Sequence, residues 1–227
     1  MSSRSLVAGV DEAGRGSVIG PLVIAGVSLS VDRVRDLKDI GVKDSKLLTP
    51  KQRLKLADEI ERVAAVVSYG EISVAEIDRA VLAGRKHFKL NYLEAKFMAK
   101  VIDALKTSLA YVDAADVVAE RFGRRITSMT SFRVKVISEH RADVRYSIVS
   151  AASILAKVRR DNLIARLRER YGKLGSGYPA DSVTLEFLHL WAKGHKGYPR
   201  FVRKSWKTAK RVRMEVLEEN RLDDYVT

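Results

Sequence analysis

Two β-rich apolar runs, Leu6 to Asp11 and Leu22 to Leu29, flank a glycine-rich turn, the pattern of neighbouring strands joined by a tight loop. A helix is predicted from about Pro50 to Val63. Thr49 caps it, Pro50 takes the first position, Gln52 can reach back to close a capping box, and Leu54, Leu56, Ile60 and Val63 supply the apolar stripe. Ala64 to Ile72 reads as a third strand. His87 to Lys106 has helical periodicity, with Leu90, Leu93, Phe97, Val101 and Leu105 at three- and four-residue steps. A short run from Leu109 to Val112 then ends at Asp113, followed by a short helical segment to about Phe122 and a strand from Phe132 to Ile137. Ser150 to Arg170 is a long helix that opens on the small residues Ala151, Ala152 and Ala156, and further helices run from about Ser182 to Ala192 and from Trp206 to Asn220. Strands that alternate with helices imply parallel pairing. The expected fold is α/β, a mixed five-stranded sheet flanked by helices with a helical C-terminal extension, and no internal repeat or sharp linker divides the chain.

Charge narrows the partners. The formal net charge is +14 and the pI about 10.0, an imbalance that favours a polyanion, since each neutralised phosphate releases counterions. Nucleic acid is the first candidate, with a solubilising basic surface or an acidic membrane as the alternatives. There is no cysteine, and His87, His140, His189 and His195 lack paired ligand spacing, so any metal is expected on oxygen ligands. The longest apolar run, Val18 to Val31, is broken by Gly20, Pro21 and Gly26 and is too short to span a bilayer, and the start lacks a signal-peptide pattern. A cytoplasmic protein with no membrane partner is therefore expected. A single glutamine, three asparagines and abundant Lys, Arg and Glu suggest a thermophilic source.

The candidate chemistry begins at AGVDEAGRGSVIGP, which sets Asp11 and Glu12 at the end of an apolar strand. Neighbouring side chains of a regular strand face opposite ways, so both acids serve one site only if the strand ends or bulges there; two solvated acids at a strand terminus are the alternative. Asp113 closes AYVD at another strand end, and Asp143 lies between a strand and the Ala-rich helix; a helix cap or turn acid is the plainer reading of each. Four carboxylates converging on one sheet edge would select hard cations such as Mg²⁺ or Mn²⁺. A phosphodiesterase uses two such metals about 4 Å apart. Between Glu186 and Glu215 there is no acid, while Lys193, Lys196, Arg200, Arg203, Lys204, Lys207, Lys210, Arg211 and Arg213 crowd the interval with Trp206 among them. That run reads as a duplex-binding platform, or else as a solvated basic face.

DEAGRGSVIGPLVIAGV, the DSK of Asp44, Ser45 and Lys46, the YVD ending in Asp113, Asp143 followed by SAASILAKVRRD, and the GYP containing Tyr178 together resemble, in order, the signature segments of the ribonuclease HII family, most closely its archaeal form. The resemblance implies a ribonuclease H-like fold, with residues 1–180 as the catalytic domain and 181–227 as a helical extension whose tail from about 219 is loose. It implies that Asp11, Glu12, Asp113 and Asp143 bind two catalytic Mg²⁺ or Mn²⁺ ions. The implied activity is cleavage of the RNA strand of RNA·DNA hybrids and of ribonucleotide-containing duplex DNA, leaving 3′-hydroxyl and 5′-phosphate ends. Gly14, Arg15 and Gly16 would read the ribose 2′-hydroxyl, and Tyr178 would stack beside the ribonucleotide. Lys46, Ser153 and Lys157 are candidate phosphate contacts, and Arg203, Lys204 and Lys207 candidate duplex contacts. Asp161 is read as structural, a partner for Lys157 or Arg160. Ser17 stands where archaeal relatives usually carry proline. Leu222 and Tyr225 loosely resemble a sliding-clamp peptide, and the protein is expected to be a monomer.

Overall fold

The structure is a computed structural model that describes residues 5–42, 48–83 and 90–226, with side chains as far as 221. Strands β1 (Leu6–Ala13) and β2 (Leu22–Ser30) form the expected hairpin, antiparallel from Leu6↔Ser30 to Ala13↔Val23. Strand β3 (Val66–Ile72) adds antiparallel to β2, while β4 (Leu109–Asp113) and β5 (Lys135–Glu139) run parallel to β1 and to β4 respectively. The sheet order is β3-β2-β1-β4-β5. The mixed five-stranded sheet of the sequence reading is thus present, with the hairpin on one side and the α/β crossovers on the other.

A short helix α1 (Asp36–Asp39) precedes α2 (Pro50–Val63), whose ends and Thr49/Gln52 capping box match the expectation. Helix α3 (Val74–Leu82) was not anticipated, although it opens on a second capping box in which Ser73 and Glu76 bond reciprocally. Helix α4 (Leu90–Leu105) covers the described part of the predicted helix. Helix α5 (Ala119–Thr127) starts later than expected, because Asp116 first accepts the Val118 amide in a local turn. Helix α6 (Ala142–Arg145) leads directly into α7 (Ser147–Tyr171), and α8 (Ser182–Gly194) and α9 (Lys207–Val226) complete the chain.

Alternation along β1 sorts the core into two layers. Val7 and Ala13 face α7 and α2, while Ala8 and Val10 face α4 and α5. Helix α7 can lie directly on β1 because small residues meet there. A side chain at Gly9 would stand 2.2 Å from the Ile148 carbonyl oxygen, and Ala151, Ala152 and Ala156 are wholly buried. Each large aliphatic side chain so enclosed contributes about 1.5–3 kcal/mol. A third apolar cluster joins α8 and α9 to Ile164 of α7 and to Val18 and Ile19 of the loop after β1. Helices α8 and α9, as far as Val216, therefore pack on the loop that leaves the acidic strand end, and a bridge between Ile19 and Val202 ties the two segments together.

Candidate active site

Strand β1 ends at Ala13, one residue past Glu12, but it does not bulge at its acids, its ladder with β2 running unbroken to that end. Asp11 and Glu12 consequently point to opposite faces. Asp11 is buried on the α7 side, where its Oδ1 accepts the Glu12 amide at 2.7 Å and Ser153 of α7 donates a hydroxyl to it. Asp113 follows the last parallel pair, Val10↔Val112, and so lies beside Asp11 on the adjoining strand. Its Oδ1 accepts the amide of Ala142 at 2.7 Å, which fixes the first residue of α6 and with it the buried Asp143 next in sequence. The acid of β4 thus positions the acid of α6.

Burial is the dominant electrostatic fact, and crowding of like charge adds to it. Burial, then Asp113, and more weakly Asp143, push the Asp11 carboxyl up to about 7, against the hydrogen bonds from Ser153 and Glu12. Burial also raises Glu12 well above the usual carboxylate range, followed by Asp11, Glu94 and Asp113, with Arg15 opposing. Glu12 Oε2 is enclosed without a hydrogen-bond partner among the described residues. Among the described residues no three histidine, aspartate or glutamate side chains stand together as a ready nest for an ion, in keeping with the opposed directions of Asp11 and Glu12. The donor set still fits a hard divalent cation: carboxylates alone, desolvated, mutually repelling, and one oxygen left over.

Beside these acids the chain turns through Gly14, Arg15 and Gly16. Gly14 has φ +88°, and a Cβ there would meet Arg160 Nε at 2.5 Å, whereas a Cβ on Gly16 would meet nothing within 4 Å. The Arg15 side chain turns back into the protein, donating from Nε to Glu94 Oε1 at 2.9 Å and from Nη2 to Asn91 Oδ1 at 2.7 Å. Glu94 is fully enclosed in α4, and burial pushes its carboxyl up to about 7 although Arg15 pulls the other way. Tyr178 is 37% exposed and lies over the guanidinium of the buried Arg160 at 4.6 Å. Arg160 also donates to the Ser176 carbonyl at 3.0 Å, and the Val18 amide donates to the Gly177 carbonyl at 2.8 Å. The turn and the tyrosine loop are therefore built as one unit.

Arg203 requires a correction. Expected among the duplex contacts, it is 0% exposed, and its guanidinium donates to the carbonyls of Gly14 (2.7 Å), Arg15 (2.9 Å) and Gly20 (3.0 Å). Ser153 is likewise buried against Asp11 rather than presented to a phosphate. Lys157, one turn further along α7, is partly exposed, and Lys204 and Lys207 are exposed. Lys46 lies outside the described residues. Asp161 pairs with Arg53 at 3.3 Å and stands 4.0 Å from Arg160.

Other members of the basic run are committed elsewhere. Arg213 donates to the carbonyls of Ala192, His195 and Lys196 at the end of α8, Arg211 pairs with Glu215, and Lys193 pairs with Glu219. Sequence reasoning missed Glu94, Asn91 and Arg160 as parts of the site's support, and with them Asp78, which accepts the Lys204 and Ser205 amides beside Arg203. Glu94 had a signal, because it falls on the apolar stripe of α4 where an acid must find a partner.

The family model for ribonuclease HII matches residues 8–209. The ribonuclease HII of Pyrococcus abyssi is 49% identical over 208 residues, covering 91% of this chain and 90% of the relative. Among solved structures, the ribonuclease H2 from Pyrococcus horikoshii OT3 is similar at 42% identity with a TM-score of 0.85, over 93% of this chain and 99% of that one. An RNase HII from Archaeoglobus fulgidus, solved in a complex with PCNA, matches at 40% identity and a TM-score of 0.83, over 94% of this chain and 99% of that one.

Proposed function

Because this chain belongs to the ribonuclease HII family and is a ribonuclease H hydrolase, we propose that it hydrolyses the RNA strand of RNA·DNA hybrids and cuts duplex DNA on the 5′ side of embedded ribonucleotides, leaving 3′-hydroxyl and 5′-phosphate ends. The observation that carries this reading is the placement of buried, mutually repelling carboxylates next to a turn whose Gly16 faces open space. Among the described residues no neighbour demands glycine at position 16. Close approach of a substrate backbone does, and the 2′-hydroxyl is the group that separates RNA from DNA.

Asp11, Glu12, Asp113 and Asp143 would hold two divalent ions, Mg²⁺ or Mn²⁺. Such ions, when bound, activate water and stabilise the departing oxygen. The protein's own residues orient and select. Ser153 holds Asp11 in place, Asp113 fixes the start of α6, the Gly14-Arg15-Gly16 turn meets the ribose, and the exposed ring of Tyr178 offers a stacking face. Lys157, Lys204 and Lys207 supply charge to the phosphates, as Lys46 does by its place in the family motif. The C-terminal residues from about 219 are proposed as a sliding-clamp contact, supported by the solved complex of a similar protein with PCNA; titration calorimetry of a clamp against a chain lacking them is the check, with unchanged affinity counting against it.

Asp113→Asn keeps the carbonyl oxygen that accepts the Ala142 amide, so the fold should survive while a charged ligand is lost. Loss of a group that merely supports a ligand costs 10–100-fold, so cleavage of a labelled duplex carrying one ribonucleotide in Mg²⁺ or Mn²⁺ should fall by more than about 100-fold. Full activity of this variant, or equal cleavage of an all-DNA duplex by the unaltered protein, would overturn the proposal.

A further inference from the structure

Among the described residues Arg203 is the largest fully enclosed side chain, and its guanidinium is directed wholly at carbonyl oxygens of the loop after β1. Two of these carbonyls belong to Gly14 and Arg15. A carbonyl shares its peptide unit with the next residue's amide, so the two units that Arg203 grips are those whose N–H groups belong to Arg15 and Gly16. A cation bonded at the oxygen end pulls electron density along the unit and makes the N–H at the other end a stronger donor. Among the described residues neither of these two amides donates to a backbone carbonyl. Burial, then Arg160, push the Arg203 guanidinium down to about 10, which still leaves it charged at neutral pH.

The arginine itself is held from three sides. Trp206 lies 4.8 Å from its guanidinium, its own amide donates to the Val18 carbonyl at 2.9 Å, and Asp78 of α3 accepts the amides of Lys204 and Ser205 at 3.0 Å each. With no route to solvent it cannot meet a phosphate. We propose that Arg203 is the positioning residue of the ribose-reading turn: by holding the Gly14 and Arg15 carbonyls it aims and strengthens the Arg15 and Gly16 amides, and so sets the preference for ribonucleotide over deoxyribonucleotide. This rests on the assignment of that turn to the 2′-hydroxyl made above.

The test compares affinities of the full chain for two duplexes of one sequence, with and without a single ribonucleotide, by fluorescence anisotropy in EDTA. Arg203→Lys retains the charge but loses the planar fork. It should weaken binding of the ribonucleotide duplex roughly tenfold, the size of a lost charge-assisted hydrogen bond, and leave the all-DNA duplex within about twofold. A preserved ratio overturns the proposal even if the melting temperature falls, since a merely structural role would lower stability without touching discrimination. Equal weakening on both duplexes with a flatter salt dependence overturns it too, because that is the signature of a phosphate contact. Should the unaltered protein show no preference, the assignment of the turn fails first, and is recognised as that failure before any variant is made. If Arg203→Lys does not fold, Asp78→Ala releases residues 204 and 205 with the arginine intact, and the same ratio decides.

Discussion

A methyl group at position 14 and one at position 16 would meet different surroundings. At Gly14 it would enter a left-handed backbone and press on Arg160; at Gly16 it would enter open space. Gly14→Ala should therefore lose at least about 2 kcal/mol of stability by urea unfolding. Gly16→Ala should stay within about 0.5 kcal/mol of the parent while its KM for a ribonucleotide-containing duplex rises. Equal stability losses at the two positions would mean that position 16 serves the fold rather than the substrate. In the sequence the two glycines look alike, and so do Arg203 and its lysine neighbours. The four acids stand out in the sequence by their places at strand ends and before the Ala-rich helix, and the structure buries Asp11 and Asp143 and sets Asp113 on the strand beside Asp11. Arg203 and Arg160 were misplaced or missed because arginine is read as a surface residue until a cluster of buried carbonyls is seen around it.

Elements were legible where their signals are local. The Thr49/Gln52 box, the hairpin and the Leu109–Asp113 strand end follow from residues adjacent in sequence, whereas the passage of β1 straight through Asp11 and Glu12 depends on pairing with β2 and was not. The tyrosine loop illustrates an element held by one acid. Asp181 caps α8 by accepting the Val183 amide at 3.0 Å, and it also accepts the Ser176 amide. That Ser176 bond, foremost, holds its carboxyl down to about 2. Asp181→Ala should cost about 1 kcal/mol at neutral pH. A carboxyl lowered in the folded state stabilises above its unfolded value of about 3.9 and loses that benefit as pH falls through the folded value. The gap in urea midpoint between parent and variant should thus narrow from pH 4 towards pH 2; a constant gap would mean that the charge contributes nothing.

For the whole molecule, a charge of +14 predicts salt-sensitive binding but does not say which cations face the duplex. Folding removes Arg203, Arg211, Arg213 and Lys193 from the basic run as buried or paired groups and leaves Lys204 and Lys207 exposed. Replacing both lysines by glutamine should reduce the slope of log K against log salt by roughly 2, measured on an all-DNA duplex. An unchanged slope would assign the run to solvent. Among the described residues no helix is long and apolar enough to cross a membrane.

The grip of Arg203 on Gly14 and Arg15 joins residues 189 and 188 positions apart, and this imposes an order on biosynthesis. The turn leaves the ribosome among the first residues and can be completed only when the segment after α8 has followed it out. Until then a nascent chain can pair β1 with β2 and expose its basic side chains to nucleic acid, but the peptide units beside the acids lack their clamp. On the role proposed above for Arg203, sugar selectivity would be completed only once residue 203 has emerged, and a chain stopped short of it should carry every acid with a weakened preference for the ribonucleotide.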